Sequence, residues 1–252
     1  MLDVIDLTPP AGSSVRLHET ASRSVARVDG LIGMSGLRGA PWDRPEEDGQ
    51  VNPHAQYLGA KVITIEGELW GSSIAATFQD WRLLEAAFYG CRSTPGLLTF
   101  REFGGLELQA DVVFAGGSDP VIQGGSAILA YQVMLRAADP RLYSQVESQS
   151  STTGAPSSSG GIPFPIPFPI PFGSGVVGGS VNVANTGNAP GHPRIQIVGP
   201  ITSPAVTNTT TGEAIYLDGL VVTSAQTLVI ETRPPRYVTV SGVNAAGSIR
   251  WA

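Results

Sequence analysis

The side chains able to do chemistry are few and far apart. The chain holds three histidines, His18, His54 and His192, and one cysteine, Cys91. No two histidines stand at metal-ligand spacing and HExxH is absent, so the zinc motifs fail. His54 follows Pro53, and His192 lies between Gly191 and Pro193, a turn chemistry that predicts loop roles for both. A lone cysteine can form neither an internal disulfide nor a thiolate cluster, and Cys91 follows the expected end of a helix, where a small buried thiol is common. The densest acidic run is WDRPEEDG, with Asp43, Glu46, Glu47 and Asp48. Two carboxylates cleave glycosides only when held about 5 to 9.5 Å apart, and a proline-containing loop does not preorganise them. The run also lacks the oxygen spacing of an EF-hand. GSGVVG, from Gly173 to Gly178, matches GxGxxG, but a proline repeat precedes it and a strand-like VNVAN follows. That fingerprint works only where a strand feeds the glycines and a helix N-terminus receives the pyrophosphate. P-loop and GxSxG patterns are missing. The expectation is a protein that is not an enzyme, with no catalytic residue, no cofactor and no metal site.

Composition narrows the class further. Of 252 residues, 42% are hydrophobic and 14% charged, with 31 Gly and 20 Pro. This is too apolar for a disordered chain and too rich in helix breakers for a helical one, so short strands joined by tight turns are predicted. The formal charge is -6 and Lys61 is the only lysine among 15 basic residues. Specific nucleic-acid binding is not expected, since phosphate neutralisation needs a basic patch. Arginine suits protein interfaces, where lysine is depleted. No signal peptide opens the chain and no run of 18 apolar residues occurs, so neither secretion nor membrane insertion is signalled and a cytoplasmic site of assembly is expected.

These elements resolve into two domains and a linker. Over residues 1–147, LDVIDL, SVARVDGLIG, AKVITIEGELWG, LELQADVVFAG and AILAYQVMLRA alternate with period two and predict half-buried strands. One helix over 77–89 interrupts them: Phe78, Trp81, Leu84 and Phe88 share a face, Thr77 and Asp80 are expected as a capping box, and Gly90 ends it. Loss of Trp81 is expected to impair folding. Residues 148–179 read as a linker, Ser/Gly-rich at first and then IPFPIPFPIPF over 162–172, which favours polyproline II and a stiff spacer. Over 180–252, VNVANTG, RIQIVGPI, EAIYLDGLVV, TLVIETRPP, RYVTVSG and SIRWA predict a small β-sandwich.

Two segments carry a resemblance to a known family. YQVMLRAADPRLYS, residues 131–144, resembles the last strand and exit of the N-terminal domain of siphophage distal tail proteins, the siphovirus-type tail components. NTGNAPGHPRIQIVGPITSPAVTNTTTGEAIYL is similar to the start of that family's C-terminal domain, and TLVIETRPPRYVTVSG to its next hairpin. The resemblance implies a mainly β fold: an N-terminal β-barrel-like domain with one α-helix, and a C-terminal galectin-like β-sandwich. It implies a structural virion protein at the tip of a long non-contractile tail, forming a homo-hexamer ring between the tail tube protein and the baseplate hub, tail-associated and tape measure proteins. The alternative is a carbohydrate-binding adsorption module that meets a host surface glycan through rings such as Tyr216, Tyr237 and Trp251.

Overall fold

The computed structural model describes residues 2–18, 20–38, 42–43, 48, 50–51, 57–102, 105–123, 127–152, 155–157 and 176–251. The chain divides into two compact units, Met1–Gln149 and Ser150–Ala252. His54, Glu46, Glu47 and the IPFP repeat lie outside the described residues.

In the first unit the strands are β1 (Leu2–Thr8), β2 (Val15–Arg16) and β3 (Arg23–Asp29), then four short strands, β4 (Leu37–Arg38), β5 (Trp42–Asp43), β6 (Gln50–Val51) and β7 (Tyr57–Leu58). There follow β8 (Lys61–Trp70), helix α1 (Ile74–Gly90), β9 (Gly96–Glu102), β10 (Glu107–Gly117), β11 (Val121–Ile122), β12 (Ile128–Ala137) and β13 (Tyr143–Ser144). A nine-stranded antiparallel sheet runs β2-β1-β9-β10-β12-β8-β3, with β11 beside β12 and β13 beside β10. The ladder is continuous but open: among the described strands, β2 and β3 end it without pairing to each other, so the barrel-like sheet is not a closed barrel. Alternation does the sorting. In β8, Ile63, Ile65 and Leu69 turn inward, while Val62 and Trp70 face out.

The core joins these inward residues to Leu84, Ala87 and Phe88 of α1, with Phe78 and Trp81 at its margin. The helix starts three residues earlier than expected. Ser73 is its N-cap and accepts from Ala76 N at 3.2 Å. The Thr77–Asp80 capping box is therefore corrected: Thr77 is buried and donates to Ser73 O and Ala127 O, tying helix to sheet, while Asp80 serves an ion pair. Strand β9, GLLTFRE, was not among the expected strands although its alternation is clear; it stands between β1 and β10 and so joins the two halves of the sheet. The strand expected over SVARVDGLIG stops at Asp29, because Gly30 adopts φ +76 with its Cα against Val62 O; a Cβ there would lie 2.0 Å from that oxygen.

In the second unit, β14 (Ala155–Ser157) pairs with β15 (Val176–Gly178) inside the expected linker. The strands after them are β16 (Arg194–Val198), β17 (Ile201–Thr202), β18 (Ala205–Thr207), β19 (Ala214–Leu217), β20 (Val221–Val222), β21 (Thr227–Glu231), β22 (Tyr237–Val240), β23 (Val243–Asn244) and β24 (Ile249–Trp251). Sheets β16-β21-β22-β23 and β18-β19-β24, with the pair β17-β20, close on one core. Leu228, Ile230 and Val238 of the first sheet meet Ile215 and Leu217 of the second, which makes the unit a small sandwich. VNVANTG forms no strand. Val181 and Val183 are exposed and no ladder receives them; Asn185 instead folds the backbone into a turn, accepting from Gly187 N and donating to Ala189 O.

Candidate functional site

The groups singled out as chemical do not converge. His18 stands between β2 and β3, where its Nδ1 accepts from Val25 N at 3.0 Å and so satisfies an edge-strand amide. His192 is half-buried in the approach to β16. Cys91 is fully buried at the end of α1, its thiol 3.4 Å from Ala87 O, and burial pushes its pKa up, away from a reactive thiolate. Asp43 falls on β5 and Asp48 is exposed beyond it. Val176–Gly178 of GSGVVG form the strand β15 and open no helix. Among the described residues, no three His, Cys, Asp or Glu side chains gather.

What the fold does build is a seam and an arm. At the seam, the β2–β3 corner is drawn together by Arg23, whose guanidinium grips both carboxylate oxygens of Asp80 on α1 and also donates to Arg16 O at 2.9 Å. Ser22 Oγ donates to the same carboxylate, and Trp70 Nε1 donates to Ala21 O. The bond from Arg23 holds Asp80 well below the usual carboxylate range, against the opposing effect of burial. Beside this pair Trp81 lies over Tyr131, ring centroids 5.5 Å apart. The Tyr131 ring fits only because residue 67 is glycine: a Cβ there would stand 2.5 Å from the hydroxyl oxygen. That buried hydroxyl has no hydrogen-bond partner among the described residues, and burial raises its pKa. Tyr131→Phe is therefore expected to leave stability unchanged or raise it by up to about 1 kcal/mol, since it removes an unpaired polar atom without leaving a cavity; a thermal melt of the full chain checks this, and a clear loss would reveal a partner for the hydroxyl.

Next to the seam, a groove of about 260 Å³ separates Leu2 and Ile5 of β1 from Val25 and Val28 of β3, with His18 and Leu31 also lining it. From its rim rises the arm. Its ladders are β4–β7, in which Leu37 faces Leu58, and β5–β6, in which Trp42 faces Val51. Lys61, buried at the root, donates from Nζ to Leu31 O at 2.7 Å, and desolvation lowers its pKa. Ile32, Met34, Leu37, Tyr57 and Leu58 of this arm are exposed, Met34 completely.

The DPRLYS exit has a physical basis. Asp139 accepts from Arg141 N at 3.1 Å and from Tyr143 Oη at 2.6 Å, Leu142 packs on the core, and Tyr143–Ser144 pairs with β10, so the chain leaves the first unit pinned. The NTTTG loop is a similar device in the second unit: Asn208 Oδ1 accepts from Thr210 N and Thr211 N, and Gly212 turns at φ +80. As for a sugar platform, the face of Tyr216 is covered by the guanidinium of Arg250 at 4.8 Å, itself paired with Asp218.

The first unit is an open antiparallel sheet crossed by one helix, and the second is a small β-sandwich. No family model and no curated protein matches the chain. Among solved structures it is similar to the SPP1 Dit (gp 19.1) protein, described as a paradigm of the hub adsorption apparatus in phages infecting Gram-positive hosts. The two share a TM-score of 0.60 at 14% identity over 96% of this chain and 84% of that one. Chains of the phage p2 baseplate in its activated conformation are also similar: TM-score 0.55 at 11% identity with Ca, covering 99% and 89%, and 0.53 at 11% with Sr, covering 98% and 88%. The chain thus shares its fold with the SPP1 Dit protein and with these chains of the p2 baseplate.

Proposed function

We propose that this chain is a structural virion protein at the tip of a long non-contractile phage tail. Six copies form a ring that joins the tail tube to the baseplate hub, with tail-associated and tape measure proteins as further partners; the protein assembles in the host cytoplasm and catalyses nothing. The observation that carries the reading is the likeness to the SPP1 hub protein, which extends over both units in one chain order and not over a single common module. Two further features fit it. Among the described strands the sheet ends at β2 and β3 without closing, and an edge strand left bare in a free monomer is a liability that an assembly partner removes. The described part of the arm exposes the apolar side chains of Ile32, Met34, Leu37, Tyr57 and Leu58. The carbohydrate-binding alternative draws less support, because Arg250 already occupies one face of Tyr216.

Light scattering on the purified full chain, with negative-stain images of the same peak, tests the ring. The expected result is six times the chain mass and round particles with a central hole. A monomer at high concentration, together with failure to bind tail tubes, overturns it.

A further inference from the structure

We propose that the β2–β3 corner is a releasable clip on helix α1: closed, Arg23 holds Asp80 and the Tyr131 hydroxyl stands idle; lifted, the corner leaves Asp80 to Tyr131. The clip works within a single chain and stands apart from the tail reading.

The corner, residues 21–23, is fastened to the body of the first unit at two points. One is Asp80, whose carboxylate accepts from Arg23 Nε at 2.8 Å, from Arg23 Nη2 and from Ser22 Oγ at 3.1 Å. The other is Trp70, whose backbone amide donates to Ser22 O at 2.9 Å and whose indole N–H donates to Ala21 O at 2.7 Å. Behind the corner, β2 is only two residues long, and the turn closes on a backbone bond from Thr20 N to Arg23 O at 3.3 Å. A segment tied by so few backbone bonds is of the kind that opens locally, without global unfolding. Letting go nevertheless takes Arg23 and Ser22 away from a carboxylate that is 20% exposed, and a partly buried charge without donors is costly.

The fold holds a substitute donor. Tyr131 stands opposite Gly67 in the β8–β12 ladder, and Gly67 stands opposite Val25 in the β3–β8 ladder. Directly opposed residues share one face of a sheet. The missing side chain at 67 therefore lets the Tyr131 ring lie across β8, with its hydroxyl oxygen 2.5 Å from where a Cβ would be. The hydroxyl is delivered towards the start of β3, and Trp81, next to Asp80 in the chain, packs on the same ring. Its ionisation registers that place: burial raises the pKa, Arg23 works against the rise and Asp80 adds to it. In the closed state the hydroxyl is buried and has no partner among the described residues. An idle buried donor raises the free energy of the state that contains it. The closed clip is thus loaded, and a carboxylate vacated by Arg23 relieves the load. Release uncovers the start of β3, beside the groove that His18 and Val25 line.

The test uses the full chain. The Trp70 indole N–H reports the clip by hydrogen exchange in two-dimensional NMR, with its signal assigned through Trp70→Phe. Tyr131→Phe removes the idle donor without leaving a cavity and is expected to slow that exchange about fivefold or more. A double-mutant cycle then identifies the acceptor. Arg23→Met takes the closed-state partner away from Asp80; in that background Tyr131→Phe is expected to lower the melting temperature by about 3 °C or more, whereas in the parent chain it lowers nothing. Slower exchange together with this change of sign supports the handover. Unchanged or faster exchange in Tyr131→Phe overturns the loaded clip, and decides the matter alone if the Arg23→Met chain does not fold. A Tyr131→Phe effect on melting that is the same with and without Arg23 overturns the transfer of the hydroxyl to Asp80.

Discussion

Replacing Asp80 by alanine is expected to lower the stability of the first unit by about 3 kcal/mol, the lower end of the cost of leaving one member of a buried ion pair alone. In a domain of this size the melting temperature should fall by roughly 6 to 12 °C. The side chains of Arg23 and Asp80 are 12% and 20% exposed, which places the pair well inside the regime where desolvation matters but not at the centre of the core. Without the carboxylate, Arg23 would still donate to Arg16 O, yet its charge would stand unpaired beside Tyr131 and Trp81. The same contact sets a pH dependence whose sign is fixed. The folded-state pKa of Asp80 lies below its unfolded value, so the stabilisation is complete above the unfolded carboxylate range, near pH 4, and is lost as pH falls further, through the folded-state pKa. Melts recorded from pH 5 down to pH 2 should therefore show the parent chain and Asp80→Ala converging at the acid end; curves that stay parallel would show that the pair contributes no linkage.

Phe88→Ala should cost more still, about 4 kcal/mol, because it empties a site at the centre of the core. Phe88 is 2% exposed and belongs to the cluster formed with Leu84, Ala87 and the inward faces of the sheet. Trp81→Ala, the change that the helical pattern singled out, should be the milder of the two, since Trp81 sits at the core margin with one face on Tyr131. Chemical denaturation of the three chains checks the order: a larger loss for Trp81→Ala than for Phe88→Ala would mean that the ring contact, and not buried volume, holds the helix to the sheet.

The seam and the arm share one cause. The sheet is left open between β1 and β3, and the chain closes that gap with side chains where it can: Arg23 and His18 reach across the N-terminal end of β3. The groove runs from His18 and Val25 along β3 to Gly30 and Leu31, where the arm departs. A closed barrel would leave no edge for a neighbour, whereas this partly latched one keeps a defined opening.

Much of this was written in the sequence. Alternation alone marked β1, β8, β10 and β12, because a strand with one buried face must repeat every second residue. The spacing of Trp81, Leu84 and Phe88 marked α1. The DPRLYS and NTTTG segments, which carried the family resemblance, hold turns of a local kind, each made by an aspartate or asparagine that bonds its own backbone. What the tertiary structure decided were the matters of long range. Asp80 belongs to Arg23, 57 residues away, and not to a capping box with Thr77, because an ion pair formed by folding satisfies its charge better than a neighbouring amide. The partner of a strand, the openness of the sheet and the break of β3 at Gly30 depend on which backbone comes to lie against which, here Val62 O against Gly30, and periodicity carries no record of that.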